Sequence, residues 1–242
     1  MIAMIISAVV AAVQGIGGPA EERTADIECV YEYRTSDDKG REDVYSTILQ
    51  VGKRSAKLVD YSTFQLDPAR TSGASEDQVA AFLLREEKQA QYFDYAIFQN
   101  EPAGNMTVYG TIIPDRYSYT EDSKAMKWTL ADDEKTICGY QCHKAECEYG
   151  GRKWTAWYSQ DIPVSYGPWK LCGLPGLILA AEDSDGANKF ESIILRNGAS
   201  AITPVSDKNI TTTTREKFVK AKNMFESDPM GNLPPESISE MS

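Results

Sequence analysis

The chain has 242 residues, with 36 Asp and Glu against 25 Lys and Arg, a formal charge of −11 at pH 7. An acidic balance of that size argues against nucleic acid and anionic membrane as default partners, since both want a concentrated basic surface. With 42% hydrophobic and 25% charged residues the chain has the composition of a folded protein, and no apolar run reaches the length of a spanning helix.

Ile2 to Val13 is an apolar stretch broken only by Ser7, followed by the small and flexible Gln14-Gly15-Ile16-Gly17-Gly18-Pro19-Ala20. That length suits the h-region of a secretory signal and is too short for a bilayer core about 30 Å thick. Residues 1–18 are therefore expected to be a signal peptide, cleaved between Ala12 and Ala20. No Lys or Arg precedes the stretch, which leaves a buried helix as the competing reading. The first cysteine, Cys29, lies inside a strand-like alternation rather than directly after the apolar segment, so a lipoprotein is not expected. The mature chain is expected to be exported: periplasmic, outer-membrane-associated or extracellular.

From Cys29 onward the hydrophobic pattern has period two, the mark of half-buried strands. Cys29, Tyr31 and Tyr33 alternate with Glu28, Glu32 and Arg34, and Tyr45, Thr47, Leu49 and Val51 with Ser46 and Gln50. Further strands are expected at 56–61, 93–99, 106–113, 116–120, 125–130, 139–149, 152–158, 177–182 and 189–195. Turn chemistry separates them at Asp37-Asp38-Lys39-Gly40, Glu101-Pro102-Ala103-Gly104-Asn105, Tyr149-Gly150-Gly151 and Asp183-Ser184-Asp185-Gly186. Connections this short favour sequential hairpins, because parallel strands need a dozen or more residues between them. The expected fold is mainly β (α+β): a large curved antiparallel sheet or half-barrel of about ten strands with one or two helices.

The helices start at capping boxes, Ser75-Glu76-Asp77-Gln78 and Thr213-Thr214-Arg215-Glu216. The second runs into Asp228-Pro229. One domain over 19–226 is expected, with 227–242, rich in Pro, Glu and Ser, as a flexible tail.

Five cysteines, Cys29, Cys138, Cys142, Cys147 and Cys172, fit an oxidising compartment and permit at most two disulfides. Cys138, Cys142, His143 and Cys147 resemble a zinc set only superficially. On a strand Cys142 and His143 point to opposite faces, and no second His exists. No metal and no cofactor are expected.

Residues 135–183 carry the most information. A hairpin through Gly150-Gly151 sets Trp154 and Tyr158 on one face and Trp157 on the other. The following piece, Ile162-Pro163-Val164-Ser165-Tyr166-Gly167-Pro168-Trp169-Lys170-Leu171-Cys172-Gly173-Leu174-Pro175-Gly176, is unlike a strand. Three prolines fix φ, and Gly167, Gly173 and Gly176 permit positive φ or close approach, with positive φ expected at Gly176. So rigid and apolar a loop must cover something, either the core, as a plug, or a ligand pocket. The plug is the favoured reading.

Gly173-Leu174-Pro175-Gly176-Leu177-Ile178 resembles the signature that names the GLPGLI family, exported proteins of Bacteroidota. The resemblance extends through Gly139–Ala145, Ala156-Trp157-Tyr158 and Ile162-Pro163-Val164, and covers roughly residues 27–226. It implies a signal peptide, genes often near those of outer-membrane receptors, and no established activity. The pattern is also similar to lipoprotein-carrier half-barrels, as a fold-level analogy.

There is no Gly-x-Ser-x-Gly elbow, phosphate loop, His-Glu-x-x-His or dinucleotide fingerprint, and no catalytic residue is assigned. The expected function is a non-catalytic envelope protein that binds a hydrophobic or peptide-like ligand, or an outer-membrane receptor partner, through Trp154, Trp157, Tyr166, Trp169 and Leu174. The alternatives are a secreted hydrolase using carboxylates, whose separation sequence does not reveal, and a scaffold with an exposed apolar patch.

Overall fold

A computed structural model describes residues 23–37, 39–67, 92–205 and 209–228. Its strands are β1 (Ile27–Ser36), β2 (Glu42–Val51), β3 (Ala56–Asp60), β4 (Tyr95–Gln99), β5 (Asn105–Ile112), β6 (Asp115–Asp122), β7 (Thr129–Ile137), β8 (Tyr140–Tyr149), β9 (Arg152–Ser159), β10 (Leu177–Asp183), β11 (Asn188–Asn197) and β12 (Ile210–Thr212). The helices are α1 (Tyr61–Gln65) and α2 (Arg215–Ser227), with one 3-10 turn at Ser123–Ala125. All strands belong to one sheet, ordered β12-β6-β5-β4-β3-β2-β1-β11-β10-β9-β8-β7. The expected mainly β sheet of hairpins is present, as two meanders joined where β1 pairs with β11.

The sheet is strongly bent, and connectivity requires it. β6 and β7 are ten places apart in the sheet order, about 48 Å if flat at roughly 4.8 Å per strand. Seven residue steps from Asp122 to Thr129 reach about 25 Å at most. The ends must therefore curl toward each other, and the Tyr149 hydroxyl of β8 does donate to Glu121 of β6 at 3.1 Å.

The concave face carries the main core, with Tyr31, Leu49, Leu58, Ile97, Met106, Val108, Trp154, Tyr158 and Phe190 all buried. In the pair β1 and β11, Tyr33 stacks on its register partner Phe190 at 4.2 Å between centroids. Alternate residues Val30, Ile48, Val59 and Ala96 form a second cluster on the convex face, covered by Phe64 of α1. Helix α2 lays Phe218 into the concave core against Tyr95, Tyr117 and Tyr119. Gly110 makes room for it, since a Cβ there would lie 2.6 Å from the Phe218 ring.

Some expectations need correction. The sheet has twelve strands, not about ten, and β12 pairs in parallel with β6. The 125–130 strand starts only at Thr129 and continues to Ile137. β7 is an edge strand exposed along most of its length, so it lacks the alternation that marks a half-buried strand. Asp132, Asp133 and Glu134, with a register break between Leu130 and Glu134, guard that edge against further pairing. The cap of α2 is Thr214, whose hydroxyl accepts from the Lys217 amide, rather than Thr213. Helix α1 follows β3 where a strand residue was expected, because Asp60 caps it by accepting from the amides of Ser62 and Thr63. All five cysteines are free thiols, four of them buried. The expected signal peptide and the helix at Ser75 lie outside the described residues. Among the described residues no helix is long and apolar enough to cross a membrane.

Candidate functional site

The segment between β9 and β10 turns back into the concavity, as the plug reading requires. Several of its amides are paired within the loop and with its flanks. Gly173 donates to Ser165, Leu171 to Pro168, Leu177 to Ile162 and Ile178 to Tyr166, all at 2.9–3.0 Å. Leu171 and Leu174 are 0% and 1% exposed. Side chains from the sheet fasten the loop and the start of β10 that follows it. Gln99, at the end of β4, donates to the carbonyls of Gly167 and Trp169, both at 2.8 Å, and accepts from the Gly167 amide at 3.3 Å. The Tyr31 hydroxyl donates to the Ile178 carbonyl at 2.7 Å.

Gly176 is not at positive φ, contrary to expectation. It is glycine because of close approach, since a Cβ there would meet the Ser159 carbonyl oxygen at 2.1 Å. Left-handed backbone occurs instead at Gly173, φ +94°, and at Trp169, φ 50°. For a bulky residue that conformation is strained. At Trp169 it is held by the Gln99 bond and by packing of the indole at 5.8 Å from Trp154 and 6.2 Å from Tyr149.

Next to Trp169 the side chain of Lys170 is buried. Its ammonium donates to the Tyr119 hydroxyl at 3.0 Å and to the Glu121 carboxylate, which also accepts from Tyr149 and lies 3.6 Å from the Arg215 guanidinium. Burial holds Lys170 below the ordinary lysine range despite the attraction of Glu121, and burial raises Tyr119 and Tyr149 above theirs. This network fastens β6, β8, the loop and the start of α2 to one another. Every polar group in it is matched by another.

The five residues expected to bind ligand are thus distributed. Trp154 and Leu174 are core residues, 2% and 1% exposed, and Trp169 is half-buried between Trp154 and Tyr149. Trp157 lies on the opposite face of β9 with the Lys135 ammonium 4.3 Å above its ring, a cation–π contact. Tyr166 is half-buried and lines a groove of about 600 Å³. Its walls are Pro163–Tyr166, Cys172 and Gly173 of the loop, Gly52 and Lys53 of the β2–β3 turn, Gln99 and Asn100, and Ser123, Lys124 and Met126 after β6. Sequence reading missed Gln99, Lys53, Lys124 and Met126, because nothing local distinguishes a polar strand end or a turn lysine from its neighbours.

Two other clefts are present. One of about 680 Å³ beside Trp154 mixes Glu146 and Glu148 with Lys127 and Lys153. One of about 400 Å³ on the far side of the β2–β3 turn is lined by Arg23, Lys53, Arg54 and Asp26. Among the described residues no group of three or more His, Cys, Asp or Glu could hold a metal. Cys142 and Cys147 are buried, whereas His143 is half-buried, 3.3 Å from Glu134 and with its ring 5.9 Å from that of Tyr158.

Residues 150–180 match the family described as "Protein of unknown function (Porph_ging)". The match spans the Trp hairpin and the Gly173–Ile178 signature, and over that stretch it bears out the resemblance to an uncharacterised Bacteroidota family. No curated protein matches. Among solved structures, PNGF-II in its P21 crystal form aligns with a TM-score of 0.55 at 14% identity, over 82% of this chain and 33% of that one. Its C2 form gives 0.52 at 14%, over 83% and 32%. The chain thus spans about a third of the length of that protein, and at this identity the likeness concerns the fold alone. A LolA superfamily protein, NE2245 from Nitrosomonas europaea, aligns at 10% identity over 82% of this chain and 94% of that one, with a TM-score of 0.28, too loose a superposition to build on.

Proposed function

We propose that the protein is an exported, non-catalytic binding protein that holds a hydrophobic or peptide-like ligand in the groove beside Tyr166. One observation carries this reading. The loop 162–176 fills the concavity with the protein's own side chains and is fastened there by Gln99, and the same loop forms one wall of an open groove of about 600 Å³. That volume lies in the range of small-ligand sites, and the wall is pre-formed. Trp154, Trp169 and Leu174 then act as the buried backing that positions Tyr166, rather than as ligand contacts. Export rests on the apolar stretch Ile2–Val13.

The hydrolase alternative fits the groove less well, because its lining includes no Asp, Glu or His. A receptor partner would have to use the outer rim of the same loop, where Pro163, Ser165, Gly173 and Pro175 are exposed.

Native mass spectrometry of protein purified from envelope fractions tests the reading. The expected result is a co-purifying small molecule that a Tyr166→Glu variant, equally folded by circular dichroism, does not retain. Neither a ligand nor a partner in the wild type would contradict it.

A further inference from the structure

We infer that the groove selects amphiphiles carrying an anionic headgroup, bound by Lys53 and Lys124. This inference rests on the binding reading above and adds the ligand class. The argument begins with what the lining has left to offer. Its neutral polar side chains are already committed to the protein. The Gln99 amide holds the loop, Asn100 donates to the Arg54 carbonyl at 2.6 Å and accepts from the Gly104 amide at 2.8 Å, and the Ser123 hydroxyl donates to the Gly104 carbonyl at 2.7 Å. The Tyr166 hydroxyl lies beside the Asn100 amide. An incoming molecule therefore meets two ammonium groups, the Ser165 hydroxyl and the apolar surface of Met126, Val164 and the Tyr166 ring.

Both lysines are exposed, and neither has a carboxylate within ion-pair distance among the described residues. Most of the described lysines share that condition, and what sets the groove apart is a lining without a carboxylate in a chain with eleven more acidic than basic residues. The larger cleft beside Trp154 shows the ordinary arrangement, with carboxylates and ammonium groups interleaved. The groove instead presents one sign of charge over an apolar floor, and the low-dielectric walls strengthen its field. Lysine acts as a point charge with rotatable donors, so carboxylate and phosphate headgroups are both accommodated.

The test is a set of fluorescence titrations below the micellar range with dodecanoate, dodecyl phosphate, dodecanol and dodecyltrimethylammonium. The proteins are wild type, Lys53→Glu/Lys124→Glu and Lys53→Gln/Lys124→Gln, each checked for an unchanged melting temperature. Dodecanoate and dodecyl phosphate are expected to bind about ten-fold more tightly than dodecanol, the sum of two partly exposed charge pairs. The Gln pair should abolish that preference, the Glu pair should reverse it toward dodecyltrimethylammonium, and dodecanol binding should hardly change. Equal binding of dodecanol and dodecanoate by wild type would overturn the anion selectivity while leaving the groove as a binding site. A preference unaltered by either double variant would overturn the assignment to Lys53 and Lys124. Failure of all four probes to bind would count against the groove reading itself.

Discussion

Gln99 and Gly167 are hydrogen-bonded to each other in both directions, the side-chain Nε2 donating to the glycine carbonyl at 2.8 Å and Oε1 accepting from the glycine amide at 3.3 Å. A side-chain amide thus gives the loop what a neighbouring strand would otherwise supply. Its second Nε2 proton goes to the Trp169 carbonyl. Gln99 and Gly167 are buried, so the bonds between them have no water to compete with them and none to replace them.

Gln99→Leu should therefore be costly, since it strands one amide and two carbonyls in the core. At about 1–3 kcal/mol for each buried group left unsatisfied, and about 2–4 °C per kcal/mol for a domain of this size, the three groups together should lower the melting temperature by at least about 6 °C. Gln99→Glu keeps the acceptor but loses both donors, and should not restore the wild-type value. A shift under about 2 °C for Gln99→Leu would mean that the loop is held elsewhere.

Two glycines of the signature should respond differently to alanine. At Gly176 the new Cβ would sit 2.1 Å from the Ser159 carbonyl oxygen, so backbone must move. At Gly173 it would have room, 3.8 Å from the nearest Trp128 atom, and only the φ of +94° would resist it. Gly173→Ala should cost about 1–3 kcal/mol, and Gly176→Ala more. Urea unfolding of the two variants side by side checks the order.

The buried pair of Lys170 and Glu121 should show strong coupling. Either Lys170→Met or Glu121→Leu breaks the buried pair, at about 3–5 kcal/mol. The double variant Lys170→Met/Glu121→Leu should lose less than the sum of the single ones, because no lone charge remains. Additive losses in a double-mutant cycle would show that the two groups do not interact in solution.

Alkaline pH should destabilise the fold. Burial pushes the thiols of Cys29 and Cys172 up to about 12, and those of Cys142 and Cys147 up to about 11, from an ordinary value of 9.0. Each folded value lies above the unfolded one, so above pH 9 the unfolded chain binds fewer protons and gains on the native state. The contribution is complete below pH 9 and is lost as pH rises toward 11–12. Lys57 and Lys170, lowered by burial, act in the opposite sense below 10.5, while buried tyrosines such as Tyr95, Tyr119 and Tyr149, raised by burial, add to the effect of the thiols. The melting temperature should be level near neutrality and fall from pH 9 upward, with a shallower fall in Cys172→Ala.

The legible part of this fold was the part whose side chains alternate. β1, with Cys29 and Tyr31 on the concave face and Val30 on the convex one, could be read directly, as could the hairpin at Gly150 and Gly151, both at positive φ. β7 could not, because an edge strand solvated on both faces leaves no period. Burial of the loop was readable from Leu171 and Leu174 between prolines. Its fastening by Gln99 was not, because the two are 68 residues apart in the chain and meet only when the sheet bends. The groove is hidden for the same reason: Lys53, Lys124 and Tyr166 come from three distant turns.

Hydrogen exchange followed at single amides tests most directly the claim that the loop is a fixed wall and not a mobile flap. The amides of Gly167, Leu171 and Gly173, all donors to internal acceptors, should be protected to the same degree as those of β4 and β10. Exchange of these three within seconds, while the strands stay protected, would contradict the account.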